Sequence, residues 1–142
     1  MPPKHWLMKS EPFKYSWDEF VKDGRTYWDG VRNYEARNNM QAMKKGDLVL
    51  YYHSNEGKQV VGVAKIVAES YPDPTTEDDR WVVVDLSPVI ELNEPVTLAQ
   101  VKADPKLSEM QLVTRGRLSV VPVTAAEFKY ILKLGKTKIP AA

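Results

Sequence analysis

Apolar positions along the chain come in short runs, each closed by turn chemistry. Residues 5–9 (HWLMK) read as a strand that ends at Ser10-Glu11-Pro12, where proline removes a ladder donor and biases Glu11 toward extended backbone. Ser16-Trp17-Asp18-Glu19 is a capping box, so a short helix is predicted over 16–22 with Gly24 as its stop. Trp28-Asp29-Gly30 makes a turn, and a ragged apolar face (Tyr34, Ala36, Met40, Met43) predicts a helix over 34–44. Residues 47–53 (DLVLYYH) are rich in strand formers and apolar on both faces, as in a buried strand. Turn residues at 54–58 join it to a second strand over 59–70, in which Gly62 marks a bulge or a close backbone approach.

The second half follows the same rhythm. An acidic loop over 71–79 precedes a strand over 81–86, a bend at Ser87-Pro88 and a further strand over 89–92. Thr97-Leu98-Ala99-Gln100 repeats the capping box and opens a helix to Ala103, which Asp104-Pro105 cuts; 107–114 is irregular. A last strand spans 118–123, and Thr124-Ala125-Ala126-Glu127 caps a final helix with Phe128, Ile131 and Leu132 on one face before Gly135. From Lys136 the tail is expected to fray. With no internal repeat or coiled-coil register, five or six short strands and a few helices imply an α+β domain. Its centre is expected to be a small, mostly antiparallel β-barrel with flanking short helices.

Length and composition narrow the class. A chain of 142 residues suits one domain over 1–142 and buries about two thirds of its unfolded surface. Absence of cysteine excludes disulfides and thiolate chemistry. The polar start, without an apolar run, implies a soluble, cytoplasmic protein that is not membrane-bound. Net charge is only +1, but its distribution is uneven: +3 over 25–46, −7 over 69–94 and +5 over 114–142. If the first and last thirds meet, they form a basic face backed by an acidic one.

One stretch stands apart. Residues 28–55 combine a Trp, three Tyr, a His, four Asn, two Arg and two Lys, the residue types that recognise planar and anionic ligands. A core segment of that length would be mostly aliphatic, because buried amides and guanidinium groups each need hydrogen-bond partners. It is read as a binding site.

Five segments carry a resemblance: HWLMKSEP at 5–12, WDGVRNYEARNN at 28–39, GDLVLYYHSN at 46–55, AESYPDP at 68–74 and RGRLSVVPV at 115–123. In this order they resemble the EVE domain family. The resemblance implies a PUA-like β-barrel, related to the PUA and YTH RNA-binding domains, with a pocket for a modified nucleobase flipped out of DNA or RNA and with no catalysis. Family members often carry glutamine where Glu35 stands. This sequence also lacks the long basic N-terminal extension of the nuclear animal members, so a cytoplasmic, nucleic-acid-associated or nucleoid setting is expected.

A base reader needs an aromatic floor, polar groups for the base edge and cations for flanking phosphates. Trp28 is the candidate floor, with Trp6 and Tyr52 as walls; Ser10, Asn33, Asn38, His53 and Ser54 are the candidates for the edge. Lys9, Arg32, Arg37, Arg115 and Arg117 are the phosphate candidates. Each has a structural alternative: Trp28 as a core plug, Asn33 and Asn38 as capping residues, His53 as a framework histidine, the arginines as solvated charges. The implied partner is DNA or RNA carrying a modified base, bound by a monomer without cofactor or metal. Two other functions compete. One is an enzyme using His53 as base, Ser10 or Ser54 as nucleophile and Glu11 as orienter; neither GxSxG nor HExxH is present to support it. The other is a protein interaction module using the acidic loop from Asp73 to Asp79.

Overall fold

The computed structural model describes residues 4–54 and 57–139, so Asn55 and Glu56 of the expected turn and 140–142 of the expected tail lie outside the described residues. Among the described residues six strands and five α-helices alternate irregularly: β1 His5–Ser10, α1 Trp17–Asp23, β2 Thr26–Tyr27, α2 Tyr34–Ala42, β3 Leu48–His53, β4 Gln59–Pro72, β5 Val82–Thr97, α3 Leu98–Ala103, α4 Gln111–Thr114, β6 Val120–Val123 and α5 Ala125–Leu134. A 3-10 turn at Pro105–Leu107 links α3 to α4.

All six strands form one sheet in the order β2-β5-β4-β3-β1-β6. β1 runs parallel to β3, and the other four pairings are antiparallel. Among the described residues β2 and β6 are the two edges and do not pair, so the sheet is open rather than the closed barrel expected. A two-residue β2 and a four-residue β6 offer little edge to join, and α2 and α4 pack against β6 instead.

The helix ends obey local chemistry. Ser16, Thr97 and Thr124 each accept from the backbone N–H three residues on, and each is answered by Glu19, Gln100 or Glu127. Gly24 ends α1 in the left-handed region at φ 74°, where a side chain would be strained. In β3, Val49, Leu50, Tyr51 and Tyr52 are all buried, as the two-sided apolar pattern demanded. Gly62 serves both readings at once. Register slips between Val60 and Gly62, and a Cβ there would stand 2.5 Å from Cη2 of Trp17, so the indole of α1 lies directly against the strand.

Three expectations change. β5 runs unbroken through Pro88; the strand tolerates the missing N–H because register slips where Ala64 faces Pro88. Part of the stretch expected to be irregular forms the short helix α4. Residues 136–139 are docked rather than frayed: Thr137 is buried, its N–H donates to Leu132 O and its hydroxyl accepts from Asn93 N, while Ile139 packs on the core.

Candidate nucleic-acid interface

Because β1 and β3 are parallel and in register, Ser10 lies beside His53 where both strands end. Ser54 then turns back, its N–H donating to Ser10 O at 2.8 Å. At this end of the sheet opens a cleft of about 630 Å³. One wall comes from the end of β1 and the segment after it, between Lys9 and Tyr15; a second is β2 and the turn after it, Thr26 to Gly30; a third is Gly116, Arg117 and Ser119 before β6. Ser54 completes the lining.

Each wall is pinned. The first hangs on Tyr15 O, which accepts both Ser10 Oγ and Tyr51 Oη at 2.8 Å. Burial pushes the Tyr51 phenol above its ordinary range, so it stays a donor; the Tyr15 phenol is pushed up to about 12, first by burial and then by its hydrogen bond to Asp23. The second wall is clamped on both sides of Asp29. Trp28 N–H donates to Val84 O at 2.9 Å, and Gly30 N–H, at φ 78°, donates to Asp73 Oδ2 at 3.3 Å. Lys9 holds the third wall by donating from Nζ to Gly116 O at 2.9 Å, with its ammonium pKa lowered by burial.

Five of the residues expected in the site line this cleft: Trp28, Ser10, Ser54, Lys9 and Arg117. Trp28 is 8% exposed and meets Tyr51 edge-on at 5.5 Å, so it belongs to the core although it borders the cleft. Aromatic area comes instead from Tyr27, 45% exposed, beside half-buried Tyr15. Lys9 is a brace for the third wall. Arg117 is exposed and makes no side-chain hydrogen bond or ion pair among the described residues.

The other expected site residues serve elsewhere. Trp6 is buried and donates from Nε1 to Asp47 Oδ2 at 2.9 Å, inside the core. Tyr52 is buried in β3 and off the cleft. His53 is a framework histidine: Nε2 accepts the Trp17 N–H at 3.0 Å, capping α1, and burial lowers its pKa while Asp18 opposes. Asn33 caps α2 by accepting Ala36 N–H, and Asn38 is exposed on the helix, accepting from Arg37.

The arginines of α2 and its approach are braces as well. Arg32 pairs with Asp73 at 3.1 Å and lies 5.5 Å from the Trp81 ring; Arg37 donates to Arg80 O and covers Tyr34 at 4.9 Å. Arg115 is held by both oxygens of Glu35, next to a smaller cleft of about 300 Å³ that Asn33 shares with the loop over 114–118. Basic thirds therefore do meet, through Asn39 Nδ2 to Val120 O and Glu35 to Arg115, but Arg25 and Arg32 are spent on Asp85 and Asp73 of the acidic centre.

Among the described residues His53 and Ser10 make no hydrogen bond to each other. His53 has its acceptor nitrogen occupied, and Ser10 gives its proton to a carbonyl rather than to an imidazole. In the acidic loop, Asp73 is buried and Asp78 is paired with Arg80, which holds its carboxyl well below the usual range. Asp73 thereby shores up the turn at Trp28-Asp29-Gly30, while Glu77 and Asp79 stay exposed on the loop.

Residues 4–134 match the family model of the EVE domain. The chain belongs to the EVE domain family. Among relatives, thymocyte nuclear protein 1 of Homo sapiens is 37% identical over 164 aligned residues, covering 92% of this chain and 73% of that protein. The crystal structure of protein Atu2648 from Agrobacterium tumefaciens is similar with a TM-score of 0.93 at 49% identity, covering 97% of this chain and 99% of that one. A crystal structure of human THYN1 protein in complex with 5-methylcytosine containing DNA is similar with a TM-score of 0.86 at 36% identity, covering 96% and 99%. In this EVE domain, sequence reasoning missed Tyr15, Tyr27, Asp29 and Lys14 as cleft residues and named Glu11 only as the orienter of the alternative enzyme. Tyr27 and Asp29 flank Trp28, so the signal was the neighbourhood of one indole rather than the indole itself.

Proposed function

We propose that this EVE domain is a non-catalytic binder of nucleic acid that takes a modified base, either a modified cytosine of DNA or a modified base of RNA, out of the strand and into the cleft at the ends of β1 and β3. In this reading it acts as a monomer without cofactor or metal. The observation that carries it is the cleft itself: a space of about 630 Å³ whose walls are pinned by hydrogen bonds, with exposed Tyr27 on one side and, on the other, Arg117, which has no side-chain partner among the described residues. Stacking on an aromatic side chain contributes about 1–3 kcal/mol per base, comparable to the few kcal/mol that unstacking a base costs. Arg117 then meets a flanking phosphate, which makes binding salt-dependent. The THYN1 complex with 5-methylcytosine containing DNA supports the reading, since that protein shares this fold over nearly the whole chain.

Fluorescence anisotropy on labelled DNA and RNA oligonucleotides, single-stranded and duplex, with and without one modified base, tests it. Modified strands should bind more tightly, Tyr27→Ala should weaken binding, and Arg117→Ala should flatten the slope of log Kd against log salt by about 0.7–0.9. Equal, salt-insensitive binding to every strand, unaltered by both substitutions, refutes the proposal.

A further inference from the structure

The cleft holds five charged side chains, and three of them are committed: Lys9 to Gly116 O, and Lys14 and Glu11 to each other. Arg117 and Asp29 have no side-chain partner among the described residues, and they stand on different walls. A carboxylate in a site for a polyanion repels the phosphates unless it meets a hydrogen-bond donor of the ligand. The backbone on either side of exposed Asp29 is also held in place. Trp28 N–H is tied to Val84 O and Gly30 N–H to Asp73 Oδ2, so the residue between them sits on a fixed turn rather than a free loop. The left-handed φ of 78° at Gly30 turns the chain there without strain.

We infer that Asp29 is the specificity-determining residue of the cleft and that its carboxylate selects bases bearing an exocyclic amino group. This rests on the base-binding reading above. Its chemical logic is sharpest for DNA. Thymine carries the same 5-methyl group as 5-methylcytosine, so stacking and methyl burial, about 0.8 kcal/mol for the methyl, nearly cancel between the two. Discrimination is left to the base edge, where cytosine offers the N4 amine as donor and thymine offers the O4 carbonyl as acceptor. A carboxylate accepts from the first and repels the second. Adenine, with its N6 amine, satisfies the same acceptor, so the shared chemistry is the amine; ring size and methylation decide between the two sources.

Anisotropy titrations on single-stranded and duplex DNA differing at one central position test the inference. The position holds 5-methylcytosine, thymine, N4,N4-dimethylcytosine, N6-methyladenine or an abasic site, and the proteins are wild type, Asp29→Asn and Asp29→Ser. Wild type should bind 5-methylcytosine or N6-methyladenine about tenfold more tightly than thymine, and N4,N4-dimethylcytosine, which has no amine hydrogen, should fall with thymine. Both variants should bring amine-bearing bases and thymine to within about twofold, with unchanged melting temperatures. A preference for the amine that survives both substitutions overturns the role of Asp29. Equal wild-type affinity for 5-methylcytosine and thymine, both tighter than abasic DNA, overturns the inference while leaving the base pocket standing; abasic DNA binding as tightly as every other strand overturns both.

Discussion

Replacing Asp73 with alanine tests whether the acidic loop is a brace for the cleft. Its buried carboxylate accepts from Thr75 N and Oγ1, Arg32 Nη1 at 3.1 Å and Gly30 N at 3.3 Å, joining three separate backbone positions. A neutral hydrogen bond contributes about 0.5–1.5 kcal/mol and one from a charged donor about 1.5–3. Thr75, Gly30 and Arg32 are all exposed enough to find water after the change, so the lower end of each range applies and the loss is about 3 kcal/mol. For a chain of 142 residues that is about 10 °C in melting temperature. Thermal unfolding followed by circular dichroism at neutral pH reads it directly.

The same carboxyl sets a pH signature. Burial acts to raise its pKa, but the hydrogen bonds from Thr75, Arg32 and Gly30 together hold it below the ordinary carboxylate value. A folded pKa below the unfolded one, about 3.9, means the stabilisation is full above that pH and is lost as pH falls through the folded value. The gap between wild type and Asp73→Ala should therefore narrow below about pH 4. A loss under about 0.5 kcal/mol at neutral pH, or a gap that does not change with acid, refutes the reasoning.

Gly62→Ala should destabilise by about 1–3 kcal/mol, since the new Cβ would meet Trp17 Cη2 at 2.5 Å in a buried cluster with Phe20 and Tyr51; urea unfolding of the variant and of Gly62→Ala with Trp17→Phe should show partial recovery in the double change. His53 has its pKa lowered by burial, so the folded form binds its proton less readily than the unfolded form and stability declines as pH drops below about 6.5; a pH series of melting temperatures should flatten in that range for His53→Asn. Glu35→Gln releases Arg115 at the neighbouring small cleft, and anisotropy should then show tighter nucleic-acid binding with a salt slope steeper by about 0.7.

What could be read from the sequence was what depends on near neighbours. Three capping boxes, the two-sided burial of Leu48–His53 and the bulge at Gly62 all follow from spacings of four residues or fewer, or from periodicity within one strand. Partners far along the chain were not legible. Arg32 looks like a phosphate ligand until Asp73, 41 residues on, is seen to claim it, and His53 looks like a base until the Trp17 N–H, 36 residues back, occupies it. β2 escaped for the same reason: two residues have no periodicity, and Thr26–Tyr27 is a strand only because Asp85 and Leu86 of β5 lie alongside. The site followed suit, with Trp28 pointing to the right loop but most of the predicted edge residues dispersed over helix caps and core.

Lys9 reaches Gly116 across 107 positions of the chain, from the first strand to the loop that leads into the last. One wall of the cleft is thus made early in synthesis and the facing wall only after β6 has come to lie against β1. A polypeptide still emerging from the ribosome has only one of the two walls until β6 has been made. Whatever ligand the cleft takes, its occupancy favours the state in which the two walls are joined. Such distant pairing also makes closure of that edge a late and slow event in folding.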